Sequence, residues 1–332
     1  MYYIVIPNYS LHQISIKSHI KIENSAGKMQ WGISALKYYH IGDIIISAGR
    51  YCKAELIKKD EIIPMNKKIA FIGSGNMGGA IIGGIVSSGL VPADHIIASD
   101  PSDKARLALQ EKYGINVTTN NIEAIKGADI VFLAVKPHIY APVIKEIAGD
   151  LDRKTVVVTI AAGQTLAHMA NMLGADAKVV RTMPNTPALV GEGMAALCPN
   201  DNVTSEEFAD VEAIFNSFGK CERITENLFD AVVGVSGSSP AYVYMFIEAM
   251  ADVAVAEGMT REKAYKFAAQ AVLGSAKMVL ETGRHPGDLK DMVCSPWGTT
   301  IRAVIELEKT GMRGSVMQGM QVCIDKSKEM SK

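Results

Sequence analysis

Lys67-Lys68-Ile69-Ala70-Phe71-Ile72-Gly73-Ser74-Gly75-Asn76-Met77-Gly78 is the stretch that decides the fold of this chain. A short apolar run stops abruptly at glycines in GxGxxG spacing, and Ala80, Ile81, Ile82, Ile85 and Val86 follow at mixed helical spacing. The pattern reads as strand, tight turn, helix. In such a turn the backbone bends sharply and approaches a pyrophosphate closely, while free N–H groups at the helix start face the anion. GxGxxG alone is a weak sign. It gains weight from the strand before it, the helix after it and a second strand further on.

That second strand, His95 to Ser99, ends in Asp100-Pro101-Ser102. An acid there binds the ribose hydroxyls of NAD and repels the extra phosphate of NADP. Ser99 and Ser102 are equally placed to hydrogen-bond that phosphate, and Asp100 is also placed to cap a helix beginning near Ser102. The choice between NADPH and NADH stays open on these residues. Further strand-length runs, Asp129 to Val135, Thr155 to Ile160 and Lys178 to Arg181, alternate with helical stretches such as Ile139 to Ile147 and Leu166 to Leu173. Alternation of this kind predicts a parallel, doubly wound α/β sheet whose ligand lies beyond the carboxyl ends of the strands. The segments there are Ala134-Val135-Lys136-Pro137, Ala161-Ala162-Gly163 and Met183-Pro184-Asn185-Thr186-Pro187. Their small residues and prolines suit a rigid floor for a nicotinamide ring. Lys136 reads as a solvated lysine at a strand end, and Cys198 and Cys221 as small buried residues, not nucleophiles.

From Asn227 the pattern turns helical: Ala241 to Glu257, Arg261 to Leu280, Trp297 to Leu307 and Gly311 to Lys328. Alanine, Gly274 and Ser275 permit close helix approach, and apolar residues on more than one side predict burial against a second subunit. The segment from Leu289 to Ile301 places Ser295, Gly298, Thr299 and Thr300 at a helix start, which suits either a small carboxylate or an ordinary N-cap.

Composition narrows the possibilities. The 332 residues are 48% hydrophobic, enough for two cores, and Lys plus Arg (34) nearly balance Asp plus Glu (35). No basic field points to nucleic acid. The five cysteines are scattered without metal-ligand spacing, which predicts a reduced, cytoplasmic chain with no metal, and no apolar run approaches the ~18 to 20 residues of a membrane span, the strongest being Ile81 to Val86. The first 64 residues differ in style, with 14 Ile, six of the 11 Tyr and no Arg before Arg50. They resemble neither a signal peptide nor a mitochondrial presequence. The expected organisation is an N-terminal extension (1–64) outside the native fold, a dinucleotide-binding domain (65–226) and a helical domain (227–332). A small extra domain or a tail is the alternative for the extension.

Taken together, the chain from Met65 to Lys332 resembles pyrroline-5-carboxylate reductase. The resemblance rests on Phe71 to Gly78, Ala134 to Pro137, Met183 to Pro187, Ser236-Gly237-Ser238-Ser239-Pro240-Ala241-Tyr242 and His285-Pro286-Gly287 through Thr300-Ile301. It implies a Rossmann-type domain followed by an all-α dimerisation domain of the 6-phosphogluconate dehydrogenase kind. It also implies a homodimer, or a higher oligomer of dimers, that reduces 1-pyrroline-5-carboxylate to L-proline with NADPH or NADH. An iminium carbon is already electrophilic, so hydride transfer needs orientation and exclusion of water more than a dedicated acid. By matching position, the resemblance assigns Ile72, Gly73, Ser74, Gly75, Asn76, Met77, Gly78, Ser99, Asp100, Asn121, Ala134, Val135, Lys136, Pro137, Ala162 and Gly163 to the cofactor. It assigns Asp291, Val293, Ser295, Gly298, Thr299 and Thr300 to the substrate, with Thr300 hydrogen-bonded to the ring nitrogen and nearest the chemistry.

One residue departs from the family pattern. Where the family reads Ser-Pro-Gly-Gly-Thr-Thr, this chain carries Trp297. At a φ above zero a tryptophan is strained, and its indole is also large enough to fill the carboxylate site. The alternative reading is therefore a catalytically impaired, cofactor-binding homologue. A β-hydroxyacid dehydrogenase would need a catalytic lysine in the helical half, and none of Lys263, Lys266, Lys277 and Lys290 stands in such a motif. A chain beginning at Met65 is expected to remain soluble and to keep full reductase activity. Insolubility or inactivity, with the full chain active in the same assay, would make residues 1–64 part of the working fold.

Overall fold

The computed structural model describes residues 38–41, 44–47 and 64–331. The chain divides between residues 62 and 63 into two units. From the first, the described part is an antiparallel pair, β1 (Tyr38–Ile41) and β2 (Ile44–Ser47), with Tyr38 opposite Ser47. The expectation for residues 1–64 otherwise falls outside the described residues.

The second unit opens with β3 (Ile69–Ile72), α1 (Asn76–Ser88), β4 (Ile96–Ser99), α2 (Asp103–Tyr113), β5 (Asn116–Thr118) and α3 (Asn121–Ile125). It continues with β6 (Ile130–Leu133), α4 (Tyr140–Ile147), β7 (Val156–Thr159), α5 (Leu166–Leu173) and β8 (Lys178–Met183). These strands are all parallel, in the order β5-β4-β3-β6-β7-β8. Counted within the domain, this is the 3-2-1-4-5-6 order of the Rossmann fold, with its switch point between β3 and β6. Helices cover both faces, which is why β3 is apolar at every position. Ile69 and Phe71 pack with Ile81, Ile82 and Ile85 of α1, while Ala70 and Ile72 pack with Tyr140, Ile144 and Ile147 of α4. Phe71 and Phe132 stack across neighbouring strands with ring centroids 4.7 Å apart.

The sheet is larger than the apolar runs predict, and it is not wholly parallel. β9 (Gly193–Pro199), α6 (Ser205–Asn216) and β10 (Gly219–Arg223) extend it beyond β8, and β9 runs antiparallel to β8. The link from Pro184 to Glu192 holds only a 3-10 turn and is too short for a parallel crossover, so the chain doubles back. β5 and β10 escape sequence reading because they are an outermost pair, short or charged, with little apolar alternation.

The remaining elements are α7 (Phe229–Val232), a turn of π-helix (Val233–Gly237), α8 (Ser239–Ala256), α9 (Arg261–Thr282), α10 (Pro286–Val293), α11 (Thr299–Lys309) and α12 (Met312–Met330). No strand occurs among them. The expected helices shift by a residue or two at their ends, with α11 starting at Thr299, not Trp297, and α10 is a further helix between α9 and α11 that the helical pattern does not single out. α8 and α9 pack on each other, yet they bury only Ala251, Ala264 and Ala268. Large apolar side chains stay outside, Leu280 at 83% and Phe267 at 68% exposure. Exposed large apolar side chains in such number on two packed helices are characteristic of an interaction surface. No helix among the described residues is long and apolar enough to cross a membrane.

Candidate active site

The residues assigned to the cofactor lie along one edge, at the carboxyl ends of β3, β4, β6 and β7, with Asn121 at the start of α3 after β5. Each glycine of the turn is there for a different reason. Gly73 has φ 99°, and a Cβ on it would lie 2.6 Å from the Ala134 carbonyl oxygen at the end of β6. A Cβ on Gly78 would lie 2.6 Å from the Gly73 oxygen, so that glycine lets α1 sit down on the turn. A Cβ on Gly75 would meet no protein atom within 4 Å. No neighbouring atom of the protein demands glycine at that point, and the space in front of the backbone is open to an approaching anion. Gly75 is the N-cap of α1 with no side-chain cap, and no acid stands in the first turn. The helix therefore presents uncompensated N–H groups and the positive end of its dipole to open space, a good fit to a pyrophosphate.

Asp100 is fastened to this turn. Its Oδ2 accepts from Ser74 N at 2.8 Å and its Oδ1 from Ser102 N at 2.9 Å. The cap of α2 is instead the Ser102 hydroxyl, which accepts from Ala105 N. Ser99 is 1% exposed and its hydroxyl donates to Asn121 Oδ1 at 2.8 Å, while Asn121 Nδ2 donates to Glu146 Oε2. Both serines offered by the sequence as phosphate ligands thus already have protein partners. The group that sequence reading missed is Arg106 of α2. Its Nη1 donates to the Asp100 carbonyl oxygen at 2.7 Å and its Nη2 to Asp103.

Beneath the segments after β6 and β7 lies Tyr140. Its hydroxyl donates to the Leu133 oxygen at 2.5 Å and accepts from Thr159 Oγ1 at 3.0 Å, joining the two strand ends that carry Ala134, Val135, Lys136 and Pro137 and Ala162 and Gly163. Burial pushes this phenol up to about 12, so it stays neutral and acts as a strut. Burial likewise raises the Cys198 thiol, and pushes Cys221 up to about 11, which removes both as nucleophiles at neutral pH. Among the described residues no group of three His, Cys, Asp or Glu is arranged to hold a metal ion.

The residues assigned to the substrate form a second local group. Asp291 and Val293 end α10, Ser295 lies in the loop, Gly298 is the N-cap of α11, and Thr299 and Thr300 are its first two residues. α11 also lacks a side-chain cap and first-turn acids, so its start suits a small carboxylate. The loop is tight: Gly298 N donates to the Ser295 oxygen at 3.0 Å, and a Cβ on Gly298 would lie 2.5 Å from Ser295 Oγ. α10 packs on α9 and α11 on α12, so the two residue groups stand on separately packed elements.

Trp297 has φ 62° and is the non-glycine residue of positive φ among the described residues. The strain expected of it is present. The expectation that its indole plugs the carboxylate site is not met, because the side chain is 91% exposed and turned to solvent.

An α/β sheet of Rossmann order, an anion-ready glycine turn and an apolar helical half define the class: a nicotinamide-dependent oxidoreductase with a helical association domain. Residues 226–330 match the family model described as pyrroline-5-carboxylate reductase dimerisation, and residues 68–163 match that of NADP oxidoreductase, coenzyme F420-dependent. The chain is 56% identical over 268 residues to pyrroline-5-carboxylate reductase of Escherichia coli, covering 81% of this chain and 100% of that protein. It is 40% identical over 274 residues to the Arabidopsis thaliana reductase, covering 82% and 99%. The solved Plasmodium falciparum pyrroline carboxylate reductase with NADP bound superposes with a TM-score of 0.75 at 34% identity, covering 81% of this chain and 100% of that one. The chain belongs to the pyrroline-5-carboxylate reductase family.

Two substitutions test this geometry. Gly75→Ala is expected to leave thermal stability within about 0.5 kcal/mol and yet weaken dinucleotide binding at least about tenfold, whereas Gly78→Ala should unfold at lower temperature. Equal melting temperatures for the two variants would contradict the separate roles. Trp297→Gly should stabilise the chain by about 1 kcal/mol in urea unfolding with an unchanged slope, through relief of the left-handed backbone. A lower midpoint would show that the indole makes a compensating contact.

Proposed function

We propose that this chain reduces the C=N bond of 1-pyrroline-5-carboxylate to give L-proline, using NADPH, with NADH as the weaker donor. The observation that carries the reading is the 56% identity across the full length of the Escherichia coli reductase. The nicotinamide cofactor, when bound, supplies the hydride. Gly73, Gly75, Gly78 and the start of α1 hold its pyrophosphate, and Ala134 to Pro137 with Ala162 and Gly163 form the floor for its ring. The substrate carboxylate lies at the start of α11 against Ser295, Gly298 and Thr299. Thr300 hydrogen-bonds the ring nitrogen and so orients the electrophilic carbon. With an iminium already activated, alignment and exclusion of water supply most of the acceleration.

The preference for NADPH is supported by the state of Asp100. Both carboxylate oxygens accept backbone N–H groups, so the charge that would repel a 2′-phosphate is partly compensated. Arg106 spends two of its five donors on Asp100 O and the exposed Asp103, and the rest suit a phosphate. Initial rates with the imine are expected to show a higher kcat/KM for NADPH than for NADH. Arg106→Met should cut that ratio about tenfold while leaving the NADH rate near its original value. Absence of imine reduction with either donor would overturn the reading.

The assembly is a homodimer, or an oligomer built of dimers, formed through the apolar face of α8 and α9, and it works in the cytoplasm. Phe267→Asp, on that face, is expected to shift the chain toward monomer in sedimentation. An unchanged sedimentation coefficient would place the interface elsewhere. Because the substrate loop and the glycine turn stand on separately packed elements, the same variant should also lose activity.

A further inference from the structure

Four buried side-chain atoms lack a hydrogen-bond partner among the described residues: Ser74 Oγ, His95 Nδ1, Gln164 Oε1 and Ser236 Oγ. An unpaired polar atom away from water is costly, so in a native fold it is completed by an ordered water, an ion or a ligand, or it belongs to a functional site. His95 lies at the amino end of β4, remote from the ligand edge. The other three fall on the segments that build that edge. Ser74 belongs to the pyrophosphate turn. Gln164, 7% exposed, immediately follows Ala162 and Gly163 after β7. Its segment is held firmly: Thr165 caps α5, Leu166 N donates to Glu226 Oε1 at 2.7 Å, and the space a Cβ would take on Gly163 is closed by the Met330 oxygen at 2.8 Å.

Ser236 comes from the helical half, but its backbone is tied to the end of β8. Asn185 Nδ2 donates to the Ser236 oxygen at 3.1 Å, and Asn185 Oδ1 accepts from Met194 N at 2.9 Å. A Cβ on Gly237 would lie 2.8 Å from Met183 Cε, so the turn sits directly on this strand end. The residue also lies within the π-helical turn, an irregularity that proteins keep chiefly at functional sites. α12 backs both segments, since Met330 meets Gly163 and Ile324 meets Gly234.

We infer that Gln164 and Ser236 together hold the carboxamide of the bound nicotinamide, with Asn185 as the residue that positions Ser236. The inference rests on the cofactor reading above. The dinucleotide runs from the ribose end at β4, across the glycine turn, toward the ends of β6 and β7, and β8 adjoins β7. The nicotinamide end therefore falls on the part of the edge formed by the ends of β7 and β8; Gln164 follows β7, and Ser236 is tied to the end of β8 through Asn185 and Met183. A carboxamide presents N–H donors and an oxygen acceptor, and the pair is its complement: Gln164 Oε1 accepts an N–H, and the Ser236 hydroxyl donates to the oxygen. Fastening both ends of the amide fixes which face of the ring is turned to the substrate.

The test is the equilibrium binding of NADP+ and of its 3-acetylpyridine analogue, which keeps the oxygen and replaces the amide nitrogen by methyl, to the full chain by calorimetry. The native chain is expected to bind NADP+ about five- to tenfold more tightly than the analogue. Gln164→Met should bring that ratio close to one, and Gln164→Glu, which keeps an acceptor, should preserve it. Ser236→Ala should weaken both ligands equally, since the oxygen it serves is common to them. Asn185→Ala should do the same. A native ratio of one, or a ratio unmoved by Gln164→Met, overturns the role of Gln164; undiminished binding in Ser236→Ala overturns that of Ser236. Should Gln164→Met lose its fold by circular dichroism, the native ratio and the Ser236→Ala arm still decide. Failure of the native chain to bind either dinucleotide would instead remove the cofactor reading itself.

Discussion

At the switch point of the sheet, β3 and β6 deliver their carboxyl ends side by side, and there is no room between them for a side chain. Gly73 turns at φ 99° with the Ala134 carbonyl where its Cβ would be. Everything at the ligand edge depends on this close approach. It lets Gly73 N donate to the Ser99 oxygen and Ala134 N to the Ile72 oxygen. It also sets α1 directly above the turn, so that its dipole and free N–H groups converge on the space in front of Gly75. Asp100 stiffens the arrangement from the other side by accepting from Ser74 N. The carboxylate is thus a structural part of the turn.

A second constraint joins the two halves. Arg181, on β8, is nearly buried and pairs with Glu226 at 2.8 Å, while its guanidinium lies 4.4 Å from the centre of the Phe229 ring. Glu226 Oε1 also accepts from Leu166 N. One carboxylate oxygen therefore ties together β8, the start of α5 and the entry to α7. A buried pair of this kind contributes little net stability against an apolar substitute, but losing either partner strands a charge. Its effect is geometrical. With the Asn185 bridge to Ser236, it holds the π-helical turn against the sheet, so the helical half is anchored at the ends of β7 and β8.

The helical half explains why the chain is both apolar and exposed. α8 and α9 touch through alanines, which brings their axes close but leaves Phe267 and Leu280 uncovered. The same looseness bears on Trp297. A left-handed tryptophan costs on the order of 1–2 kcal/mol, and here no neighbouring core has to be rearranged to accommodate it, because the indole faces solvent. The strain stays in the loop before α11, which begins at Thr299 after an extended Gly298.

The sequence alone was enough for the strands buried on both faces and the helices between them, because continuous apolar runs and glycine spacing are local signals set by burial and by backbone sterics. It also carried the motifs of both residue groups, down to the exception at Trp297. It could not show the antiparallel β9 or the charged edge strand β10, whose pairing depends on neighbours and not on their own composition. Nor could it show how side chains are spent. Ser99 and Ser102 look alike as phosphate ligands until the structure shows that Ser99 gives its hydroxyl proton to Asn121 while Ser102 only accepts, as a helix cap, and keeps its own, and Arg106, Gln164 and Asn185 look ordinary until their partners, or the absence of one, are seen. Hydrogen bonding at a site is decided by what tertiary packing brings within about 3 Å, and that distance is not written in the order of residues.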